Sequence, residues 1–393
     1  MMGKLLRDVA IMGIGQTRFG EMWDLSFRIL GIQAGMKAIK DANIESKLID
    51  SLYIGNMSSG LFMDQEHISS MIIEEVGLTE AHVPATRVEA ADASGALALR
   101  QAIFEIASGQ SNVIVVGGAE KMTDVTSDVA SDFIMAGADK AWEGLFGASL
   151  PSLFALMARK HMHDFGTTRE QIASVAVKNH ANGARNPFAQ FQKEIDLDTV
   201  LNAPKIAEPL GVFDCFPVSD GAAALILADI DTAKEYCSEP IRITGSGQGS
   251  DTLSITNRSE ITMFGSTIKA SKQAYDMAGV SPSDIDVAEV HDSYTIAEII
   301  AIEDLGFFPK GEGGRAVFEG ETSLEGSIPV NTSGGLKARG HPFGATGIAQ
   351  INEIVLQLRN KASGRQVKDA RIGLAQNMGG TGGTSIVHIL EVD

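Results

Sequence analysis

Cysteine is scarce in this chain. Only two of the 393 residues carry a thiol, Cys215 and Cys237. Their spacing fits neither a C-x-x-C pair nor a metal site. We therefore expect both thiols to be reduced and the protein to be cytoplasmic, because structural disulfides belong mainly to oxidising compartments.

Positive charge is also in short supply. The chain has 32 Lys and Arg residues against 50 Asp and Glu residues, which gives a formal net charge of −18. Nucleic acid and anionic membrane surfaces repel a protein of this charge, so we predict neither as a partner. Residues 1–8 lead directly into an apolar strand, and no apolar run approaches the length of a bilayer span. We therefore expect no signal peptide and no membrane segment.

Proline is rare, with 11 residues against 42 glycines, while 44% of the chain is hydrophobic. This balance is typical of close-packed α/β structure with many tight turns. A chain of this length is long enough for two or more packed units. No low-complexity stretch interrupts it, which excludes an extensively disordered protein.

The predicted elements recur in one order. In the first half we predict strands at 9–15, 49–56, 112–118 and 220–228 and helices at 25–42 and 92–107. In the second half we predict helices at 267–279 and 345–358 and strands at 284–291, 372–377 and 384–391. Offsets between matching elements are roughly 235 to 260 residues and fall to about 160 for the last pair, which indicates a duplication with an insertion.

These offsets predict the domain boundaries. Residues 1–120 and 211–235 form the first half, 121–210 an inserted domain, and 236–393 the second half. The alternative is two unrelated α/β domains. A duplication places the N-termini of two helices, at Asp92 and His341, close to a shared pseudo-twofold axis. Because helix N-termini favour developing negative charge, we predict one active site between the halves.

Four segments carry a resemblance to a known family. They are residues 88–99 (VEAADASGALAL), 291–295 (HDSYT), 331–347 (NTSGGLKARGHPFGATG) and 376–383 (QNMGGTGG). Together they resemble the thiolases, in particular the archaeal and anaerobe type of acetyl-CoA C-acetyltransferase. Residues 178–191 are similar to that family's loop domain. The resemblance implies a thiolase fold, with two duplicated α/β halves forming a five-layer αβαβα core and an inserted loop domain.

The same resemblance implies roles in a Claisen condensation of acyl-CoA thioesters. His291 and His341 would form the oxyanion hole for the enolate, and His341 would also activate the nucleophile. The backbone N–H groups of Asp92 and Gly379 would bind the acyl oxygen. An isolated histidine is more often structural, but here each histidine lies inside a matching motif.

Two positions depart from the family pattern. Asp92 stands where the family has its nucleophilic cysteine, and Asn377 stands where many members have a second cysteine. A carboxylate is a poor nucleophile towards a thioester. The mixed anhydride that it would form is more reactive than the thioester from which it comes. Three interpretations stay open: a thiolase altered by a natural or introduced substitution, a retro-aldol lyase on β-hydroxyacyl-CoA with Asp92 as general base, and a non-catalytic scaffold that binds CoA esters.

Coenzyme A is expected as part of a substrate, and we predict no permanently bound cofactor. Because it is polyanionic, it needs a local positive site, which Arg87, Lys337 and Arg339 would supply unless they are ordinary solvated charges. We predict no metal site, since His161 and His163 are two residues apart and do not share a helix face.

The remaining expectations concern packing and partners. Tyr294 is expected to pack at a strand end, with a role as an acid as the alternative. The resemblance implies a homodimer or homotetramer. It also implies, as partners, a small OB-fold and zinc-ribbon protein and a hydroxymethylglutaryl-CoA synthase.

Overall fold

A mixed β-sheet runs through both halves of the chain in the computed structural model, which describes residues 5–76 and 78–392. The described residues form these strands: β1 (Val9–Gln16), β2 (Ser51–Gly55), β3 (Ala85–Val88), β4 (Val113–Glu120), β5 (Lys205–Ala207), β6 (Leu210–Gly211), β7 (Gly221–Asp229), β8 (Ile241–Ser250), β9 (Val287–Glu289), β10 (Ile372–Gly379) and β11 (Thr384–Glu391). We predicted no signal peptide from residues 1–8. Residues 1–4 of that segment lie outside the described residues.

The α-helices connect and cover these strands. They are α1 (Phe27–Ala42), α2 (Ser59–Met63), α3 (Ile68–Glu75), α4 (Ser94–Ser108), α5 (Ser127–Ile134), α6 (Leu150–Phe165), α7 (Arg169–Gly183), α8 (Leu197–Leu201), α9 (Ile230–Tyr236), α10 (Gly265–Ala278), α11 (Thr295–Asp304), α12 (Gly313–Phe318), α13 (Gly335–Arg339) and α14 (Phe343–Leu358). In the described residues, no helix is both long and apolar enough to cross a membrane.

The sheet has the strand order β3-β2-β4-β7-β1-β8-β11-β10-β9, and its two ends mirror each other. In the first half β2 and β4 are parallel and β7 returns antiparallel to β4; in the second half β9, β10 and β11 repeat that arrangement. A parallel bridge between Ala288 and Val330 stands where the first half has β3. The predicted duplication is therefore confirmed, and the alternative of two unrelated domains is wrong.

The helices divide the molecule into five layers, as the sequence predicted. Helix α1 packs on the outer face of the first half, α10 packs on the outer face of the second half, and α4 and α14 lie together between them. The inner layer is apolar from both sides, because Leu99 and Ile103 of α4 and Ile348 of α14 are fully buried in one cluster with strand residues of both halves. This layer stabilises the docking of the halves, at about 25 cal/mol for each Å² of apolar surface removed from water.

The segment between β4 and β7 holds α5, α6, α7, α8 and the small antiparallel sheet of β5 and β6. Its elements reach the second half of the chain, since α7 packs against α11, α12 and α13. This is the segment in which the offsets placed an insertion; its limits at 121 and 210 stay a prediction.

Candidate active site

A strained turn places Asp92 between β3 and α4. Ala91 has a φ of 50°, a conformation that residues with a side chain seldom adopt. The turn is held by Ser94, whose hydroxyl donates to the carbonyl of Ala91 and accepts from the N–H of Ala90 at 2.9 Å. The carboxylate of Asp92 consequently points inward and is 1% exposed. Strain of this kind clusters at functional sites.

His341 lies in the loop between α13 and α14. Gly340 before it has a φ of 108°, and the backbone N–H of His341 donates to Oγ of Ser219 at 2.9 Å. Its Nδ1 lies 2.7 Å from Oγ1 of Thr346, whose own proton goes to the carbonyl of Pro342 at 2.9 Å. Thr346 thus holds the ring in place, and Nε2 points at Oδ2 of Asp92, 3.3 Å away.

His291 follows β9 and approaches Asp92 from the other side. Its backbone N–H donates to Oε1 of Gln376 at 2.9 Å, and Nδ2 of Asn377 lies 3.0 Å from its Nδ1. Nε2 of His291 is buried and lies 3.5 Å from Oδ2 of Asp92, at the limit of a hydrogen bond. The first half of the chain thus supplies a carboxylate, and the second half supplies two imidazoles.

The two histidines determine the charge of Asp92. Burial opposes its ionisation, but hydrogen bonds from His291 and His341 outweigh burial and hold the pKa of Asp92 well below its usual range. Burial lowers the pKa of His341 to about 4, although its hydrogen bond with Asp92 opposes this change. The rings of Phe216 and Phe343 stand edge-on to His341 at centroid distances of 4.8 and 4.7 Å and keep its surroundings apolar.

Gly379 lies directly beside the turn that carries Asp92. A Cβ at Gly379 would overlap the carbonyl of Ala90, and a Cβ at Gly380 would overlap that of Gly137, so glycine is required for this close approach. A cavity of about 270 Å³ opens here, with Ala91, Gly137 and Gly379 in its wall. A Cβ at Gly137 would also stand 3.7 Å from Oδ1 of Asp92, so this residue of the cavity wall lies close to the carboxylate.

The predicted phosphate site needs correction. Lys337 and Arg339 are 3% and 1% exposed, so the alternative that they are ordinary solvated charges is wrong. Arg339 donates to Oγ of Ser333 at 3.1 Å and pairs with Glu289 at 3.4 Å, while the ammonium of Lys337 lies over the ring of Phe191. Side chains bound inside the protein do not reach a phosphate at its surface, so we no longer assign either to coenzyme A.

Arg87 occupies a different position. It is bound to the carbonyl of Met57 at 3.0 Å and to the carboxylate of Glu66, and its side chain is 20% exposed. Its role at a phosphate stays a prediction, with its charge balanced by Glu66.

The other residues discussed in the sequence analysis lie outside the candidate site or pack beside it. Tyr294 packs as expected, stacked on Phe154 at a centroid distance of 4.3 Å. His161 is buried between Thr167 and Glu303, while His163 is exposed, so the two do not converge. Both cysteines are free thiols.

Sequence reasoning missed three residues that orient the histidines: Ser219, Thr346 and Gln376. Thr346 lies in the segment 331–347, about one helical turn after His341. A hydroxyl at that spacing could have indicated a hydrogen bond with the imidazole. Gln376 stands next to Asn377 in the last motif. Ser219 gave no such signal, because its contact with the N–H of His341 spans 122 positions of the chain.

Comparison with known families identifies the family of the chain. Residues 9–231 match the family described as "Thiolase, N-terminal domain", and residues 247–392 match "Thiolase C-terminal domain-like". The chain therefore belongs to the thiolase family.

Individual relatives span nearly its full length. It is 52% identical over 386 residues to "Acetyl-CoA acetyltransferase" of Methanothermobacter thermautotrophicus, covering 98% of this chain and 100% of that protein. It is 49% identical over 396 residues to the protein of the same name from Methanocaldococcus jannaschii, covering 98% and 99%. The solved structure "Ltp2-ChsH2(DUF35) aldolase" matches with a TM-score of 0.86 and 29% identity, covering 99% of both chains.

Proposed function

We propose that this chain is an acyl-CoA C-acyltransferase of the acetoacetyl-CoA thiolase type, which joins two acyl-CoA thioesters or cleaves the product with coenzyme A. The names of its archaeal relatives and the family match across both halves support this reaction class. The observation that carries it is the convergence of both Nε2 atoms on Oδ2 of Asp92, at 3.3 and 3.5 Å, beside a cavity.

The carboxylate at position 92 changes how this reaction proceeds. Asp92 acts as a base that takes a proton from the α-carbon of one acyl-CoA. The enolate carbon attacks the thioester carbonyl of a second acyl-CoA, the C–S bond breaks, and the departing thiolate of coenzyme A receives the proton from Asp92. No acyl group is held on the enzyme, so both esters are bound at the same time.

Substrate binding makes Asp92 a stronger base. In the free protein, hydrogen bonds from His291 and His341 are what lower its pKa, against the opposite effect of burial. When a histidine donor turns to the oxygen of the thioester, the carboxylate loses that stabilisation while its burial remains. The same donor then stabilises the enolate oxygen as it forms, which is where an oxyanion hole acts.

The experiment follows acetoacetyl-CoA and coenzyme A consumption in the purified protein, with mass spectrometry of products and protein. We expect one coenzyme A consumed for each acetoacetyl-CoA, initial-rate patterns of a sequential mechanism, and no acyl adduct on Asp92. The isosteric variant Asp92→Asn, which cannot accept a proton, should be inactive. A stable acyl adduct on Asp92 or ping-pong kinetics would contradict the mechanism.

A second candidate is a retro-aldol lyase, favoured by the similarity to the aldolase structure at a TM-score of 0.86. There Asp92 would take the proton of a β-hydroxyl group and the Cα–Cβ bond would break, which releases an aldehyde or ketone. The α-carbon of the enolate would then take the proton back from Asp92 and leave as an acyl-CoA. A panel of β-hydroxyacyl-CoA esters separates the two reactions, because the lyase consumes no free coenzyme A. Binding of CoA esters without turnover in either assay would favour the scaffold.

We also propose a cytoplasmic homodimer or homotetramer that works with an OB-fold partner. The similar aldolase structure, whose name includes a DUF35 protein, supports a partner of this kind. Light scattering after size-exclusion chromatography tests the oligomer. Repeating the assays with the purified partner tests whether turnover depends on it.

A further inference from the structure

Asn377 lies beside the ring of His291 because of the register of two neighbouring strands. Strand β10 runs parallel to β9 with Ala375 opposite Glu289, so Asn377 and His291 meet two residues further along both segments. Nδ2 of Asn377 lies 3.0 Å from Nδ1 of the imidazole, and both residues are buried. The amide of Asn377 therefore decides whether Nδ1 of His291 accepts or donates a hydrogen bond.

The orientation of this amide determines which ring nitrogen of His291 carries the proton. With the NH₂ group facing Nδ1, the amide donates, and an uncharged ring then has its proton on Nε2. With the amide reversed, its oxygen would accept from Nδ1–H, and the lone pair of Nε2 would face Asp92, 3.5 Å away. Against the effect of burial, hydrogen bonds from both histidines hold the pKa of Asp92 below its usual range, so this carboxylate is ionised. A lone pair facing an anion is repulsive, which favours the orientation with the proton on Nε2.

Both the amide and the main chain of His291 are held in place. Helix α14 packs directly against the far end of the amide, since a Cβ at Gly347 would stand 2.7 Å from Oδ1 of Asn377. The backbone N–H of His291 donates to Oε1 of Gln376 at 2.9 Å, and Nε2 of Gln376 donates to Oγ1 of Thr267 at 3.1 Å. Two neighbouring residues of β10 thus hold the main chain and the ring of His291, which gives its Nε2–H a fixed direction.

We propose that Asn377 is a positioning residue that keeps the proton of His291 on Nε2, so that His291 is the histidine that donates to the oxygen of the bound thioester. The role of His291 as that donor rests on the proposed acyl transfer. Its contact with Oδ2 of Asp92 is 3.5 Å long, against 3.3 Å for His341, so it is the weaker one and is exchanged more easily for an oxygen of the substrate. The N–H then stabilises the negative charge that develops on the enolate oxygen.

NMR of protein labelled with ¹⁵N-histidine tests where the proton is, because ring nitrogens with and without a proton resonate at clearly different frequencies. The signals of His291 are those that disappear in His291→Ala. In the wild type at neutral pH we expect a proton on Nε2 and none on Nδ1. Asn377→Asp, whose carboxylate accepts but does not donate, should place a proton on Nδ1.

Asn352→Asp is the matched control for this substitution. It makes the same change at another buried amide, one that lies in α14 and donates to the carbonyl of Gly15 at 3.1 Å. The ¹⁵N signals of His291 should stay at their wild-type frequencies in this variant, even if the protein loses stability.

Steady-state kinetics provide the second readout. Asn377→Asp should lower kcat by about 10²–10³ and leave KM little changed, because the lost donor acts on charge that develops in the transition state. Asn377→Ala removes the amide without adding a charge and should lower kcat by a smaller factor.

Three results would each overturn the proposal: a proton on Nδ1 of wild-type His291, unchanged His291 signals in folded Asn377→Asp, or a wild-type kcat in that variant. The wild-type spectrum decides even if a variant at position 377 does not fold. It also requires no turnover, so an inactive wild type with the proton on Nε2 would contradict the proposed acyl transfer and leave the position of the proton established.

Discussion

At the scale of single residues, the carboxylate of Asp92 occupies a place that would suit a thiol. Nε2 of His341 lies 3.3 Å from it, and Nδ1 of the same ring is fixed by Thr346. A histidine held this way accepts the proton of a thiol and leaves a thiolate, which is a far better nucleophile towards thioesters than a carboxylate.

Asp92→Cys should therefore create thiolysis of acetoacetyl-CoA through an acyl-enzyme, together with labelling by iodoacetamide at position 92. Peptide mass spectrometry identifies the labelled cysteine. Cys215 provides an internal comparison, since burial raises its pKa to about 12 and keeps it a thiol. A folded variant that binds CoA esters without gaining activity would refute the idea that Asp92 simply replaces the family's cysteine.

His291→Ala and His341→Ala should each lower kcat/KM by about 10²–10³, the usual effect of removing an oxyanion donor. Melting temperatures measured beside the rates separate loss of function from loss of fold. His163→Ala, which alters only an exposed imidazole, serves as the control. Turnover close to that of the wild type in either variant would remove that histidine from the mechanism.

The sequence predicted the residues of this site because they lie in recognisable motifs. It did not predict contacts between residues that are far apart in the chain. Asp92, His291 and His341 each lie in a local sequence motif that can be recognised without knowledge of the fold. Burial of Arg339 depends on Glu289, which lies 50 positions away and pairs with it only after the second half has folded. From the sequence alone, a charged residue in a glycine-rich loop such as Arg339 is as consistent with a solvated side chain as with a buried one.

At the scale of helices and strands, four glycines let α4 and α14 approach β2 and β4. A Cβ at Gly95 of α4 would overlap the carbonyl of Gly344 in α14, and a Cβ at Gly118 of β4 would overlap the same carbonyl. A Cβ at Gly344 would in turn overlap the carbonyl of Gly55 in β2. The two helices that carry the site are thus in main-chain contact.

Gly95→Ala should destabilise the protein by about 1–3 kcal/mol, because the added methyl group must push α4 away from α14. Catalytic rates should fall as well, since Asp92 moves with α4. Gly35→Ala, in α1 with no atom within 4 Å of the added carbon, should instead stabilise the protein by about 0.5–1 kcal/mol. Thermal unfolding of the pair measures both effects; equal stability for the two variants would contradict the packing argument.

Glycine packing also explains why sequence reasoning missed β8, one of several strands that it did not predict. β8 has Gly245, Gly247 and Gly249 at alternate positions, and a Cβ at any of them would meet the backbone of α10. From Gly245 onwards, the alternation therefore consists of glycine and polar residues, where a strand prediction looks for apolar ones. The strand at 9–15 was found because its first residues are apolar, although Gly13 and Gly15 pack against α1 in the same manner.

At the scale of the whole molecule, buried histidines link folding to pH. Burial lowers the pKa of His388 in β11 to about 4, where its Nε2 lies 3.1 Å from the carbonyl of Ala96 in α4. Between about pH 6.5 and pH 4 the unfolded chain binds a proton that the folded chain does not. The contribution of the uncharged, buried His388 to stability is therefore complete above pH 6.5. It is lost as the pH falls from 6.5 to about 4.

His388→Gln should make stability less sensitive to acid, by up to about 1.4 kcal/mol for each pH unit in the window, because glutamine takes up no proton there. Melting temperatures at pH 7.5 and pH 5.0 measure the change relative to wild type. His163→Gln replaces an exposed histidine and serves as the control variant. An unchanged pH dependence in His388→Gln would show that this histidine is not protonated on unfolding.

The main-chain contact between Gly95 and Gly344 also bears on how this site changes over evolutionary time. Because two glycines meet there, backbone packing sets the distance between position 92 and the imidazole of His341, and a substitution at position 92 leaves that packing intact. A polar side chain of similar length that arises at this position therefore starts close to both histidines. Descendants of one ancestor can acquire a new reaction through a single replacement, while inheriting the geometry that serves it.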